Sequence, residues 1–240
     1  MIEMTPDLAE ICGIHAGDGY LRLREKNKGE VDISGNIEEK EYYDNHVVLL
    51  FNNTFNLSIK GRYFSRGSYG FVCYKKEVRE TLMNLGFPSG KKSLFVNVPN
   101  LILNSEDKTL MCRFLRGLFD TDGNLSFRKS YNHSDKFKNK NNYYPTIKLT
   151  TISGQLAEGT IKMLNQLNII FYYYNRESKK PNENKKHVIV ISGLDGLNKW
   201  MDLIGIKNPV KSSRYLVWKK QGFCPTNTTL KQREELLKEN

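Results

Sequence analysis

Acidic residues are scarce relative to basic ones in this 240-residue sequence: 26 Asp and Glu stand against 37 Lys and Arg, a formal charge of +11. That balance disfavours cationic partners and points to a polyanion, either nucleic acid or an anionic membrane surface. Cysteine is scarce too. Cys12, Cys73, Cys112 and Cys224 form no CxxC pair and no cluster with zinc spacing, which argues against a disulfide framework and a structural zinc site. Long apolar runs are missing; stretches such as 46-HVVLLF-51 are far too short to span a bilayer, so no membrane span is expected. The opening MIEMTPDLAE lacks the basic start and apolar stretch of a signal peptide. These absences lead to the expectation of a soluble protein of a reducing, cytoplasmic compartment, an organellar matrix or nucleoid included. What is present, 39% hydrophobic and 26% charged residues, suffices to pack one large domain or two small ones.

The chain repeats itself. Shifted by 104 residues, 12-CGIHAGDGYLRLR-24 aligns without a gap on 116-RGLFDTDGNLSFR-128. Gly13, Asp18, Gly19, Leu21 and Arg24 match Gly117, Asp122, Gly123, Leu125 and Arg128. Downstream, 85-LGFPSGKKS-93 matches 204-IGIKNPVKSSR-214, placing Lys92 on Lys211 and Ser93 on Ser212. The interval from Gly13 to Gly86 is 73 residues and that from Gly117 to Gly205 is 88, the excess falling in the basic insertion 129-KSYNHSDKFKNKNNYYP-145. A period near 100 residues exceeds a solenoid unit and suggests two fused half-domains about a pseudo-twofold axis.

The order of elements agrees between the halves. Thr5, Pro6 and Asp7 begin one helix, and Ser105, Glu106 and Asp107 begin its counterpart over 106–121. Each helix ends in Asp-Gly. Strands are expected at 20–26, 31–36, 57–64 and 69–74, and at 124–130, 145–151, 169–176 and 187–192. Helices are expected at 39–54 and 76–85, and at 154–167 and 194–204. The fold class is therefore α+β, two αββαββα half-domains with antiparallel sheets. The expected domains are 1–87, a linker over 88–104 carrying Pro88 and Pro99, a second half over 105–225, and a polar tail over 226–240 with a short helix at 229–239.

On the first helix Ala9, Gly13, Ala16 and Gly17 share one face, all small. Interior glycine costs about 1 kcal/mol relative to alanine, so two spaced by four call for close approach of another backbone. Gly117 and Thr121 make the matching face of the second helix. Packed face to face, the helices bring Asp18 and Asp122 side by side at two partly negative C-termini. Like charges there repel, and a divalent cation such as Mg²⁺, which takes carboxylate, carbonyl and water oxygens, relieves them. An Asp-Gly turn is the plainer reading of either copy alone.

The motifs 11-ICGIHAGDG-19 and 115-LRGLFDTDG-123 resemble those of the LAGLIDADG homing endonucleases in their single-chain, two-motif form. The first departs from the family pattern at His15 and Ala16; neither change touches the final acid. The resemblance implies two saddle-shaped sheets over double-stranded DNA, with the motif helices at the interface. It implies a monomeric, intron-encoded hydrolase that cuts both strands of a long site with divalent metal, Mg²⁺, leaving short 3′ overhangs. It makes Asp18 and Asp122 the metal-binding acids, with the carbonyls of Gly17 and Thr121 as further ligands. Lys92 and Lys211, at equivalent places, are candidates to support charge developing on the phosphate, and each is also readable as an ordinary solvated lysine; Lys91 and Lys207 are the nearest substitutes.

Alternation in the strands separates a core face from a polar one. The polar positions are Tyr20, Arg22, Arg24 and Lys26, then Asp32, Ser34 and Asn36, then Lys60 and Arg62. In the second half they are Asn124, Ser126 and Arg128, then Thr146, Lys148 and Thr150, then Arg176. A two-stranded ribbon fits the major groove, where arginine reads guanine; a polar strand face is also an ordinary solvated face. Lys136, Lys138 and Lys140 are placed to run along phosphates or to lie in a solvated loop. The tyrosines of 171-FYYYN-175 are expected to pack under a sheet rather than stack on bases.

Other chemistries do not fit. The stretch 86-GFPSGKKS-93 lacks P-loop spacing and follows a helix rather than a strand. His15, His46, His133 and His187 form no ligand cluster, and His15 reads as a core residue. An RNA maturase binding intron RNA, or a DNA-binding regulator without cleavage, is the alternative; the paired acids favour the nuclease. An intein insert is disfavoured, since residue 1 is no nucleophile and the chain ends in Lys-Glu-Asn.

Overall fold

Thr5 opens the first helix by accepting the Leu8 amide (3.2 Å) through its hydroxyl, with Pro6 next in line. In this computed structural model, residues 2–24, 28–129, 142–177 and 184–239 are described. Helix α1 (Pro6–Asp18) runs straight into β1 (Gly19–Leu23), which pairs antiparallel with β2 (Gly29–Asn36). Asn36 and Glu39 form a capping box around the 3-10 turn Ile37–Glu39. The helical stretch that follows comprises α2 (Lys40–Tyr42), a π turn (Tyr43–Val47) and α3 (Val48–Phe55). Strands β3 (Arg62–Tyr63) and β4 (Ser68–Cys73) and helix α4 (Lys76–Asn84) complete the first set, and the short α5 (Asn100–Leu103) follows. The second set repeats the order: α6 (Lys108–Asp122), β5 (Asn124–Arg128), β6 (Tyr144–Thr151), α7 (Gly154–Gln166), β7 (Tyr172–Arg176), β8 (Lys186–Ser192) and α8 (Leu194–Leu203). Helices α9 (Pro209–Gln221) and α10 (Leu230–Lys238) end the described chain.

The two sheets share one topology, β1-β2-β4-β3 and β5-β6-β8-β7, with every pair antiparallel. The fold is α+β with duplicated halves, as the repeat implies. Each sheet buries one face: Leu21, Val31, Ile33 and Phe71 in the first, Leu125, Ile147, Ile189 and Ile191 in the second. All four cysteines are free thiols. Among the described residues no helix is long and apolar enough to cross a membrane.

The halves meet where α1 packs on α6. A Cβ built on Gly13 would lie 2.1 Å from the Phe114 carbonyl oxygen, and one on Gly117 would lie 2.3 Å from that of Glu10. No side chain fits between backbones that close, which is why both positions are glycine. Beside this seam the buried Glu10 of α1 accepts from Arg113 Nη1 (2.9 Å) and Arg116 Nε (2.9 Å) of α6, and pairs with His46 Nε2 (2.6 Å). A buried carboxylate is tolerable only with such partners.

Three departures from the sequence reading have local causes. The strand expected at 57–64 shrinks to two residues, because the Asn52 side chain accepts from Ile59 N (2.8 Å) and donates to Ile59 O (3.0 Å), taking the groups a ladder would use. The second motif helix begins after Asp107, which caps Thr109 N (2.8 Å), with Ser105 bonded to Asp107 N instead (3.0 Å). Helix α9, absent from the sequence reading, starts from Asn208 as cap and Pro209 at the first position. The insertion lysines Lys136, Lys138 and Lys140, and Lys26 on the first strand, lie outside the described residues.

Candidate active site and nucleic-acid interface

Close packing of α1 on α6 sets their C-terminal ends together, and with them the two acids. The position of a Cβ on Gly17 is 2.1 Å from Thr121 Oγ1 and 3.4 Å from Asp122 Cγ. Asp18 lies one residue further along α1. Its Oδ2 accepts from the Tyr43 hydroxyl at 2.6 Å. Burial pushes the Asp18 carboxyl up to about 7; the Tyr43 hydrogen bond opposes this, and the negative charges of Asp122 and Glu39 add to it. Asp122 remains open to solvent at its side chain, yet desolvation by its crowded surroundings also raises it, against the pull of Lys92 and Lys211. At both acids the leading cause is burial, which disfavours the charged form.

Lys92 and Lys211 take equivalent places, as the repeat requires. The Lys92 ammonium donates to the carbonyls of His15, Ala16 (2.7 Å) and Gly17 (2.6 Å). The Lys211 ammonium donates to those of Phe119, Asp120 and Thr121, each at 2.7 Å. Each thus caps the last carbonyls of a motif helix, where a cation is favoured. All three ammonium protons are spent on this task, so both lysines act on the centre through charge in this arrangement. Burial lowers Lys92 to about 8, against the raising influence of Asp122 and Asp18, and it lowers Lys211 as well. The Gly17 and Thr121 carbonyls, read as metal ligands, each accept one lysine bond and keep a second lone pair. Lys91 and Lys207 do not take these places; the Lys207 amide instead donates to Asp120 Oδ2 at 2.9 Å.

Several residues of the centre escaped the sequence reading. Glu39 Oε2 and Asp18 Oδ2 lie 2.8 and 2.9 Å from the point where a Cβ on Gly35 would sit, which places a third carboxylate beside the first acid. Asn208 Nδ2 ties Glu39 Oε1 (2.7 Å) to the Asp120 carbonyl (2.8 Å), joining the two halves across the site. Asp120 is fully buried, and burial raises its carboxyl to about 6. Glu39 and Tyr43 had no counterpart in the repeat, since the turn after β6 leads directly into α7 from Ser153. The Asn208-Pro209 capping pair was a readable signal for α9.

The donor set suits a divalent cation: two adjoining acids with raised pKa values, at helix ends that offer carbonyl oxygens. Among the described residues no three His, Cys, Asp or Glu side chains gather as a metal cluster, so carbonyls and water would have to complete a coordination shell there.

The outer sheet faces carry most of the expected contact residues. Tyr20, Arg22, Arg24, Asn36, Lys60, Arg62, Asn124, Arg128, Thr150 and Arg176 are exposed, and Ser34, Ser126 and Lys148 are half-buried. Thr146 shares their face by register but is buried. Lys60 falls in a loop, since β3 is short. Glu30, unremarked in the sequence, pairs with Arg22 (3.4 Å) and Arg24 (3.2 Å); such an acid holds the arginine forks in place on the first sheet. The tyrosines of β7 correct an expectation. Tyr172, Tyr173 and Tyr174 are 68, 41 and 46% exposed, because β7 is an edge strand, with Tyr172 and Tyr174 on its outer face and Tyr173 on the other; only Phe171, before it, packs on the core.

Duplicated αββαββα halves joined through glycine-faced helices, each ending in an acid, are the arrangement that the resemblance to two-motif LAGLIDADG proteins implies. Residues 109–205 match the family model described as LAGLIDADG-like domain, and the first half of the chain repeats the element order of that segment. Its fold is that of solved homing endonucleases. Variants of I-DmoI are 14% identical with a TM-score of 0.57, the match covering 83% of this chain and 95% of that one. A mutant of I-SmaMI is 10% identical with a TM-score of 0.59, covering 98% of this chain and 97% of that one. I-DmoI has also been solved with DNA and Mn, again at 14% identity, with a TM-score of 0.56 and coverage of 83% and 96%. Among curated proteins, a replication factor C small subunit of Methanocaldococcus jannaschii is 27% identical over 215 residues, 89% of this chain. The chain spans about a tenth of the length of that relative.

Proposed function

We propose that this protein is a sequence-specific double-strand DNA endonuclease of the homing type, dependent on Mg²⁺. The observation that carries the reading is the juxtaposition of Asp18 and Asp122 at the adjoining ends of α1 and α6, each end capped by a lysine. Asp18 and Asp122 would hold the cation, with the Gly17 and Thr121 carbonyls beside them. Bound there, a divalent ion supplies an activated water, charge on the phosphoryl oxygens and stabilisation of the leaving oxygen. Lys92 and Lys211 hold positive charge against both acids and the incoming phosphate. Tyr43 fixes the Asp18 carboxylate on the first side by its hydrogen bond, Glu39 adds negative charge beside it, and Asn208 locks that side to the second.

In this reading the halves 1–87 and 105–225 each bind one half of a long site as parts of a monomer. The outer sheet faces, from Arg22 and Arg62 to Asn124, Lys148 and Arg176, lie along the duplex, and the +11 charge makes binding steeply salt-dependent. A match confined to about a tenth of an archaeal relative supports a mobile domain carried within or between host genes, in an intron or a larger chain, and working in the compartment where that DNA lies.

The test is incubation of the protein with a randomised plasmid library and Mg²⁺, followed by sequencing of cut ends. Asp18→Asn and Asp122→Asn should each abolish double-strand cleavage and leave duplex binding largely intact. Unchanged cutting by either variant refutes the assignment.

A further inference from the structure

The exposed tyrosines of β7 belong to a strip that the cleavage centre does not use. Register across the second sheet places Asn124, Lys148, Val190 and Tyr172 opposite one another in one row, and Thr150, Val188 and Tyr174 in the next. Directly paired residues point to the same face, so this outer face changes character along its width. It is polar and cationic on β5 and β6, then aliphatic and aromatic on β8 and β7. Tyr173 alternates to the other face, where it stacks on His187 (6.1 Å between rings) and reaches His187 Nδ1 at 2.7 Å. The first sheet differs: Arg62 stands on its edge strand, and Glu30 and Asp32 interrupt its outer face.

An exposed aromatic strip on an unpaired edge strand is an association hazard unless it serves contact. Self-pairing through it sets like charge against like charge in a chain of net charge +11. Lys148 within the strip and Arg176 at the end of β7 complement a polyanion instead. On a duplex, the apolar feature that such a strip can meet in the major groove is the thymine C5-methyl, and a sheet reaches it there as it cannot in the narrow major groove of A-form RNA.

We propose that Val190, Tyr172 and Tyr174 form an apolar reading strip for thymine methyl groups, so that the half-site under the second sheet is specified at A·T pairs. The inference rests on the duplex-DNA reading above and gives the second half-site its chemistry.

The test selects duplexes from a randomised library by binding in EDTA, then replaces single thymines of the selected sequence with deoxyuridine, which removes only the methyl. Affinity should fall about threefold to fivefold for each methyl that the strip covers, at positions confined to one half-site. The variant Val190→Thr with Tyr172→Ser and Tyr174→Ser should lose the A·T preference and the deoxyuridine effect there. It should keep the base preferences of the other half-site, which also shows that it is folded. If deoxyuridine has no effect, or the variant keeps the full profile, the strip does not read thymine. Tighter binding to single-stranded RNA than to any selected duplex also overturns it. If the wild-type protein enriches no duplex sequence at all, the DNA-binding reading itself fails.

Discussion

Replacing Gly13 with alanine probes the seam on which the paired acids depend. The added methyl would sit 2.1 Å from Phe114 O and 2.9 Å from Leu118 N. Both are backbone atoms of α6, so no side chain can swing aside, and α1 and α6 must separate. Overpacking of this kind costs about 3 kcal/mol at the upper end of its usual range. Alanine returns about 1 kcal/mol of helix propensity, leaving a net loss of about 2 kcal/mol. In a chain of this size that lowers Tm by about 4–8 °C. Gly154→Ala is the control: in α7 its methyl would meet only His187, at 3.7 Å, an ordinary contact. That variant should be neutral or slightly stabilised. Thermal unfolding followed by circular dichroism measures both. A Gly13→Ala protein as stable as Gly154→Ala would refute the glycine-mediated seam and the adjacency of Asp18 and Asp122 with it.

Further predictions concern charge. Glu10→Ala strands Arg113 and Arg116 at the seam and should cost about 3–5 kcal/mol in denaturant unfolding; a loss under about 1 kcal/mol would show the cluster to be dispensable. Burial and, secondarily, the Lys92 charge hold His15 well below its usual range, with both ring nitrogens unpartnered. Its unfolded form therefore binds the proton first, and stability is lost as pH falls below about 6.5. His15→Phe should lack that loss, so the stability difference between wild type and variant should change below about pH 6.5 and stay flat above; a difference independent of pH contradicts the burial. Asp18 has the opposite sign. Its folded pKa is raised from 3.8 to about 7, so its stabilising contribution is complete below pH 3.8 and is lost as pH climbs through 7. In metal-free buffer Asp18→Asn should gain on wild type from about pH 4 to 7 and the difference should level off above that, and Mg²⁺ should raise the Tm of wild type but not of the variant. Equal Mg²⁺ shifts for both would place the ion elsewhere. Lys92→Met and Lys211→Met should each suppress cleavage while leaving the salt slope of binding nearly unchanged; a full set of cut products from either would remove that lysine from the centre.

The sequence by itself determined what depends on neighbours along the chain. The cap at Thr5, the small faces of α1 and α6, the Asp-Gly exits into strands and the two-residue alternation are all local, and the gapless repeat coupled them in pairs. That coupling also matched Lys92 with Lys211 although nothing nearby in sequence marked either. Only the tertiary structure decided the rest. Asn208 reaches Glu39 across 169 residues, a contact that no periodicity reports. Glu39 and Tyr43 have no copy in the second half, so repetition was silent about them. The strand before Arg62 dissolved because one asparagine side chain took its backbone partners. The tyrosines of β7 stand in the open because alternation tells which residues share a face of a sheet, whereas only packing decides whether another layer covers that face.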